Sequence, residues 1–198
     1  MKVLVPGSFD PITVGHLDIV RRAHALFGEV VVAIGNNSTK SYLFSFEERV
    51  ALVEGATAGL GGITVEAMDG LLVDFCNDRG IPAVVKGLRF GADFDFELQM
   101  AHMNEEMGGI ETVLLPAARD HVTLSSTIIR QVVRLGGDVS PYVPANVAVA
   151  LAEKFPAATS DAPSEAGEDP LAVEAGDHQQ VDGDVDDGER HRSRQHQR

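Results

Sequence analysis

A histidine, two hydroxyls and two glycines crowd into Gly7-Ser8-Phe9-Asp10-Pro11-Ile12-Thr13-Val14-Gly15-His16. This set is suited to gripping a phosphate. Gly7 and Gly15 let the backbone come close to a ligand, Ser8 offers a hydroxyl, and Thr13 is a good N-cap for a helix whose free N–H groups attract anions. His16 then falls in the first helical turn, where an imidazolium can donate a hydrogen bond to a phosphoryl oxygen as charge builds on it. A plainer reading stands beside this one: such a turn is often only a turn, and a histidine near a helix start is often only a cap. Neither G-x-G-x-x-G nor G-x-x-x-x-G-K-[ST] occurs in the stretch, which removes the main support for a dinucleotide oxidoreductase or a P-loop enzyme.

Cations recur further along. Lys40 stands in the polar loop from Gly35 to Ser41, and Val84-Val85-Lys86-Gly87-Leu88-Arg89 places two cations at one strand end. There Arg can grip a phosphate bidentately while Lys acts as a point charge; the alternative is a pair of solvated loop charges. Ser125-Ser126-Thr127-Ile128-Ile129-Arg130 opens another helix with capping hydroxyls, which explains the serines but not Arg130.

These residues need a frame to meet. Short β-branched runs at Lys2 to Val5, Val30 to Ile34, Ile63 to Ala67, Ala83 to Lys86 and Thr112 to Leu115 alternate with amphipathic segments, the pattern of an α/β, Rossmann-like, doubly wound five-stranded parallel sheet with helices on both faces. Helices are predicted at Val14 to Phe27, from the capping box Ser45-x-x-Glu48, at Leu71 to Asp78, Asp93 to Met107 and Ser126 to Leu135, and after Pro144. In the fourth, Phe94, Leu98 and Ala101 are expected to form core. The site segments all precede helices and follow strands, at the carboxyl edge where open α/β sheets bind ligands.

One domain, residues 1–155, is expected, with residues 156–198 as a disordered acidic tail with a basic end. That tail carries 11 acidic and 4 basic residues, half of the net charge of −14. An acidic body offers no general footprint for nucleic acid, and the Arg190 to Arg198 end reads as a solvated terminus. Cys76 alone builds neither a disulfide framework nor a multi-thiolate zinc site. The N-terminal apolar run is too short for a signal peptide and no membrane-spanning run occurs, so a cytoplasmic location is expected, with no nucleic acid and no membrane as partners.

Gly7-Ser8-Phe9-Asp10-Pro11 followed by Thr13-Val14-Gly15-His16 resembles the (H/T)-x-G-H signature of the nucleotidyltransferase superfamily, and specifically the bacterial phosphopantetheine adenylyltransferase family, over roughly Lys2 to Phe155. The resemblance implies AMP transfer from ATP to 4′-phosphopantetheine, giving dephospho-coenzyme A and pyrophosphate, with Mg2+ accompanying ATP and no protein side chain assigned to the metal. It implies catalysis by His16, Lys40 and Ser8. The acceptor would meet Ser8, Lys40, Leu72, Lys86 and Asn104. ATP would meet Ser8, Phe9, His16, Gly87, Leu88, Arg89, Glu97 and the segment His121, Val122, Thr123, Leu124, Ser125, Ser126 and Thr127. Lys86 stands where many relatives carry Arg, and His121 where an aromatic residue is common. A homohexamer and feedback binding of coenzyme A are further implications. Other adenylyl- or cytidylyltransferases share the two signatures; Lys40, the Lys86 to Arg89 run and Asn104 favour the pantetheine enzyme. A catalytically silent nucleotide sensor would need a broken signature, which this chain does not have.

Overall fold

A computed structural model of the chain describes residues 1–36 and 40–156; the tail reading, from residue 157 on, lies outside them. The order is β1 (Lys2–Gly7), α1 (Val14–Phe27), β2 (Glu29–Gly35), α2 (Phe46–Thr57), β3 (Ile63–Met68), α3 (Leu72–Asp78), β4 (Ala83–Leu88), α4 (Gly91–Gly108), β5 (Glu111–Pro116), α5 (Ser126–Arg134) and α6 (Ala145–Lys154), with short 3₁₀ turns at Arg119–His121 and Ser140–Tyr142. The predicted strands and helices are all found, with boundaries shifted by one or two residues at most ends. Pairing is parallel throughout, in the order β3-β2-β1-β4-β5.

Alternation along the strands builds two cores. Val3, Val5, Val30, Val32, Ile34, Ala83 and Val85 point to one face and meet Leu17, Val20, Leu52, Val53, Ile129, Val133, Val147 and Leu151 of α1, α2, α5 and α6. Leu4, Val31, Ala33 and Val84, one residue out of step, point to the other face against Val73, Phe75 and Cys76 of α3. A side-chain period of two makes this division automatic, and it is why these central strands read as continuous apolar runs. Each such side chain contributes about 1.5–3 kcal/mol on full burial.

Both capping signals in the first half hold. Thr13 and Ser45 cap α1 and α2, each with a reciprocal bond from the third helical residue, His16 and Glu48.

Helix α4 departs from expectation. Phe94 and Leu98 are exposed rather than core. The inward stripe is instead Asp93, Glu97, Ala101, Asn104 and Gly108, spaced at four, four, three and four residues. Gly108 sits so close to α3 that a methyl group there would lie 2.8 Å from Val73 Cβ. The helix turns its polar and small side towards the sheet because that side serves the carboxyl edge of β4, and its large apolar residues are left outward.

Candidate active site

The chain runs outward from β1 through β2 to β3, then returns to place β4 on the other side of β1. Parallel sheets open a crevice where the order reverses in this way. β1 and β4 are in register at Leu4 and Val84 only. Past that pair, Val5, Pro6 and Gly7 on one strand and Val85, Lys86 and Gly87 on the other line a cleft of about 320 Å³. Phe9, Thr13, Gly15, His16, Arg89, Glu97, His121, Leu124, Ser126 and Thr127 complete its walls.

The plainer reading of His16, as a capping group, holds at one ring nitrogen. The Thr13 backbone N–H donates to His16 Nδ1 at 3.0 Å, and the Thr13 hydroxyl lies 3.0 Å from the same atom. Nδ1 is therefore the acceptor, and Nε2 carries the proton on the opposite side of the ring. Burial, and then the charge of Arg89, push the imidazole pKa down to about 4. The ring is neutral at physiological pH, so the donor that it can offer is a neutral Nε2–H. Phe9 packs edge-on against the ring with centroids 5.3 Å apart. Phe9 also explains Gly7: a Cβ at Gly7 would meet its ring at 2.8 Å, so this glycine makes room for a side chain and not only for a ligand.

The two cations from the end of β4 are both paired with the inner stripe of α4. Lys86 Nζ donates to Glu97 Oε1 at 3.4 Å and lies 3.3 Å from Oε2, an atom at which no hydrogen-bond donor is aimed. Arg89 Nε donates to Asp93 Oδ2 at 3.1 Å. Partial burial works against ionisation of Asp93, but the hydrogen bond and charge of Arg89 hold its carboxyl below the usual range. An anion entering the cleft thus finds cations already held in place, with carboxylates it must compete against.

A second network fixes the turn that carries His16. Buried Asp10 accepts from the backbone N–H of Leu43 at 2.8 Å and of Phe44 at 2.9 Å. Arg130 donates to the Asp10 carbonyl and lies 3.4 Å from its Oδ2. Ser126 donates to the Pro11 carbonyl at 2.8 Å, and Ser125 caps α5 by accepting from the Ile128 N–H. Arg130, which capping could not explain, is the strut between α5 and the turn.

Of the residues singled out in the sequence, the cleft brings together Phe9, His16, Lys86, Gly87, Arg89, Glu97, His121, Leu124, Ser126 and Thr127. Ser8, Leu88, Val122, Thr123 and Ser125 are neighbours in the chain that do not line it. Lys40 is exposed in its loop, Leu72 packs at the start of α3 against the second core, and Asn104 is buried on the inner stripe of α4. Asp10, Asp93 and Arg49 were not foreseen in roles. Arg49 had a legible signal: it occupies the apolar face of α2, in line with Leu52 and Val53.

Comparison with known proteins agrees with this geometry. A family model described as cytidylyltransferase-like matches residues 4–132. The chain is 56% identical over 156 residues to the phosphopantetheine adenylyltransferase of Cutibacterium acnes, covering 79% of this chain and 99% of that one. It is 52% identical over 147 residues to the protein of that name from Paenarthrobacter aurescens, covering 74% and 89%. The Streptomyces coelicolor protein of that name is 50% identical over 154 residues, covering 78% and 97%. A cleft at the sheet's reversal point, with a tautomer-locked histidine and two cations, and relatives of this closeness lead to one conclusion: the chain belongs to the cytidylyltransferase-like family and, within it, to the phosphopantetheine adenylyltransferases, which are nucleotidyltransferases.

Proposed function

We propose that the enzyme transfers AMP reversibly from ATP to 4′-phosphopantetheine, releasing pyrophosphate and forming dephospho-coenzyme A. The observation that carries the reaction type is His16, whose Nδ1 is tied to Thr13 so that Nε2–H is left for the cleft that Lys86 and Arg89 also line. The name shared by the relatives supports the acceptor.

An oxygen of the acceptor phosphate attacks the α-phosphorus, and the bond from that phosphorus to the bridging oxygen of pyrophosphate breaks. The acceptor phosphate is already ionised, so no general base is required. Positioning and charge stabilisation supply the catalysis. Neutral His16 donates from Nε2 to the α-phosphoryl oxygen as charge accumulates there, while Lys86, Arg89 and the hydroxyls of Ser126 and Thr127 hold phosphate oxygens. In this reading Glu97 takes the ribose region of ATP, and the segment His121 to Thr127 wraps adenine and the outer phosphates. Ser8, Lys40, Leu72 and Asn104 serve the acceptor.

Mg2+ is proposed to arrive on the ATP phosphates. Among the described residues no group of three or more acidic, histidine or cysteine side chains is placed to hold a metal. Among the described residues, Glu97 is the one acidic residue lining the cleft. Homo-oligomerisation is supported by the outward stripe Phe96, Met100, Met103 and Met107 on α4, all exposed in the single chain, and a hexamer is the proposed assembly. Coenzyme A, which contains both halves of the product, is the proposed feedback ligand, and the cytoplasm the proposed location. Among the described residues no helix is long and apolar enough to cross a membrane.

Incubation with ATP, Mg2+ and a panel of phosphate acceptors tests the proposal. Pyrophosphate should be released with phosphopantetheine and not with nicotinamide mononucleotide; the reverse pattern would refute the acceptor. Lys40→Ala is expected to raise the KM for phosphopantetheine and lower turnover, each by about tenfold, the scale of one lost charge-assisted contact. An unchanged acceptor KM would remove Lys40 from the site.

A further inference from the structure

Arg49 is fully buried, yet among the described residues no carboxylate lies within ion-pairing distance of it. A buried guanidinium without a counter-charge is expensive, so its surroundings must compensate it. They do so with dipoles and aromatic faces. Nη1 donates to the Ser8 carbonyl at 2.7 Å and to the Gly35 carbonyl at 3.0 Å, and Nη2 reaches Asn36 Oδ1 at 3.5 Å. The Tyr42 ring lies 4.0 Å from the guanidinium carbon and the Phe46 ring 5.3 Å. Nε has no partner.

The Ser8 contact bears on the cleft. Ser8 does not line the cleft and Phe9 does. The peptide between them is trans, so its carbonyl and N–H point in opposite directions. With the carbonyl drawn towards Arg49, the Phe9 N–H points away from Arg49, and Phe9 itself lines the cleft together with His16 and Lys86. Among the described residues no acceptor takes that N–H. Phe9 holds φ at 47°, a left-handed conformation that a bulky residue seldom adopts without a reason in its surroundings.

From this geometry we infer that Arg49 is a positioning residue: it clamps the Ser8–Phe9 peptide so that the Phe9 N–H is held as a preorganised donor to a phosphate oxygen in the cleft. The inference rests on the nucleotidyl-transfer reading for the identity of the anion. Its second contact, at Gly35, ties the end of β2 to the same side chain.

The test uses the full chain labelled with 15N, wild type, Arg49→Lys and Arg49→Met. Lysine keeps the charge but has neither the reach of arginine nor the planar guanidinium that sits over Tyr42 and Phe46 and places Nη1 between the two carbonyls. Adding a non-hydrolysable ATP analogue with Mg2+ should move the Phe9 amide proton strongly downfield in the wild type. That response should be lost or at least halved in Arg49→Lys, measured well below its melting temperature. Turnover in Arg49→Lys should fall about tenfold or more, with the KM for ATP changed less than threefold. A residue that only supports the fold would lower the melting temperature and leave both readouts alone. A wild-type Phe9 amide indifferent to the analogue, or an Arg49→Lys variant with wild-type response and turnover, would overturn the inference; should Arg49→Met not fold, the lysine variant decides. Because the amide response does not require phosphopantetheine, failure of the proposed acceptor is seen separately, as absent pyrophosphate release by the wild type.

Discussion

His16→Ala is expected to lower turnover by about a hundredfold or more, the usual cost of removing one preorganised donor to a developing phosphoryl or oxyanion charge. The same change removes the partner of the Thr13 N–H, so it should also cost about 1 kcal/mol of stability through the lost cap. His16→Gln separates the two. Glutamine at the third helical position completes a capping box with a threonine N-cap. The melting temperature should then stay near that of the wild type while turnover remains as low as in the alanine variant. Steady-state pyrophosphate release and thermal denaturation give the two numbers. A loss below tenfold in both variants would mean that Nε2 does not face the reacting phosphorus. The pH dependence has a definite sign. The folded pKa of about 4 lies below the unfolded value of 6.5, so the unfolded chain binds more protons between them. The stability contributed by His16 is fully present above about pH 6.5 and is lost as the pH falls towards 4. His16→Gln should flatten that part of the stability curve, and the wild-type pH–rate profile should show no inflection near 6.5 from this ring.

Asp10→Ala should produce the largest loss of stability. It leaves the N–H groups of Leu43 and Phe44 without acceptors and the guanidinium of Arg130 without its carboxylate, all at a position 2% exposed. Breaking a buried charged network from one side costs about 3–5 kcal/mol. For a domain of this size the melting temperature should fall by about 10 °C. Asp10→Asn, which can still accept one N–H but turns an amide against the other, should fall between. Leu43 and Phe44 follow the loop that carries Lys40, so the asparagine variant should raise the KM for the acceptor more than the KM for ATP. Melting temperatures within 3 °C of wild type for both variants would show that the network is dispensable.

What could be read in advance followed from local rules. The strands announced themselves as β-branched runs, and the caps at Thr13 and Ser45 as spacing. The cleft residues at the end of β4 and the start of α5 followed from where such folds bind ligands. What escaped depended on partners distant in sequence. Arg49 looks like any helical arginine until the ends of β1 and β2 are brought over it. Asp10 looks like a turn residue until Arg130, 120 residues away, arrives. The tautomer of His16 depends on which nitrogen the Thr13 N–H reaches, a matter of ring rotation that residue types do not encode. For α4 the expected stripe joins two faces: Phe94 and Leu98 lie outward and Ala101 inward, because the inner side is set by polar and small residues that apolar periodicity does not mark.

The single register between Leu4 and Val84 also governs the order in which the enzyme can become an enzyme. β1, β2 and β3 join through neighbouring segments, each pair matched over six residues, and such contacts close early because their loops are short. β4 must travel back across some 80 residues of chain to find β1, for one matched pair. Until β4 and α5 are in place, Lys86 and Arg89 are apart from His16 and the turn that carries His16 lacks its Arg130 strut. Competence arrives only when the last seam of the sheet is closed.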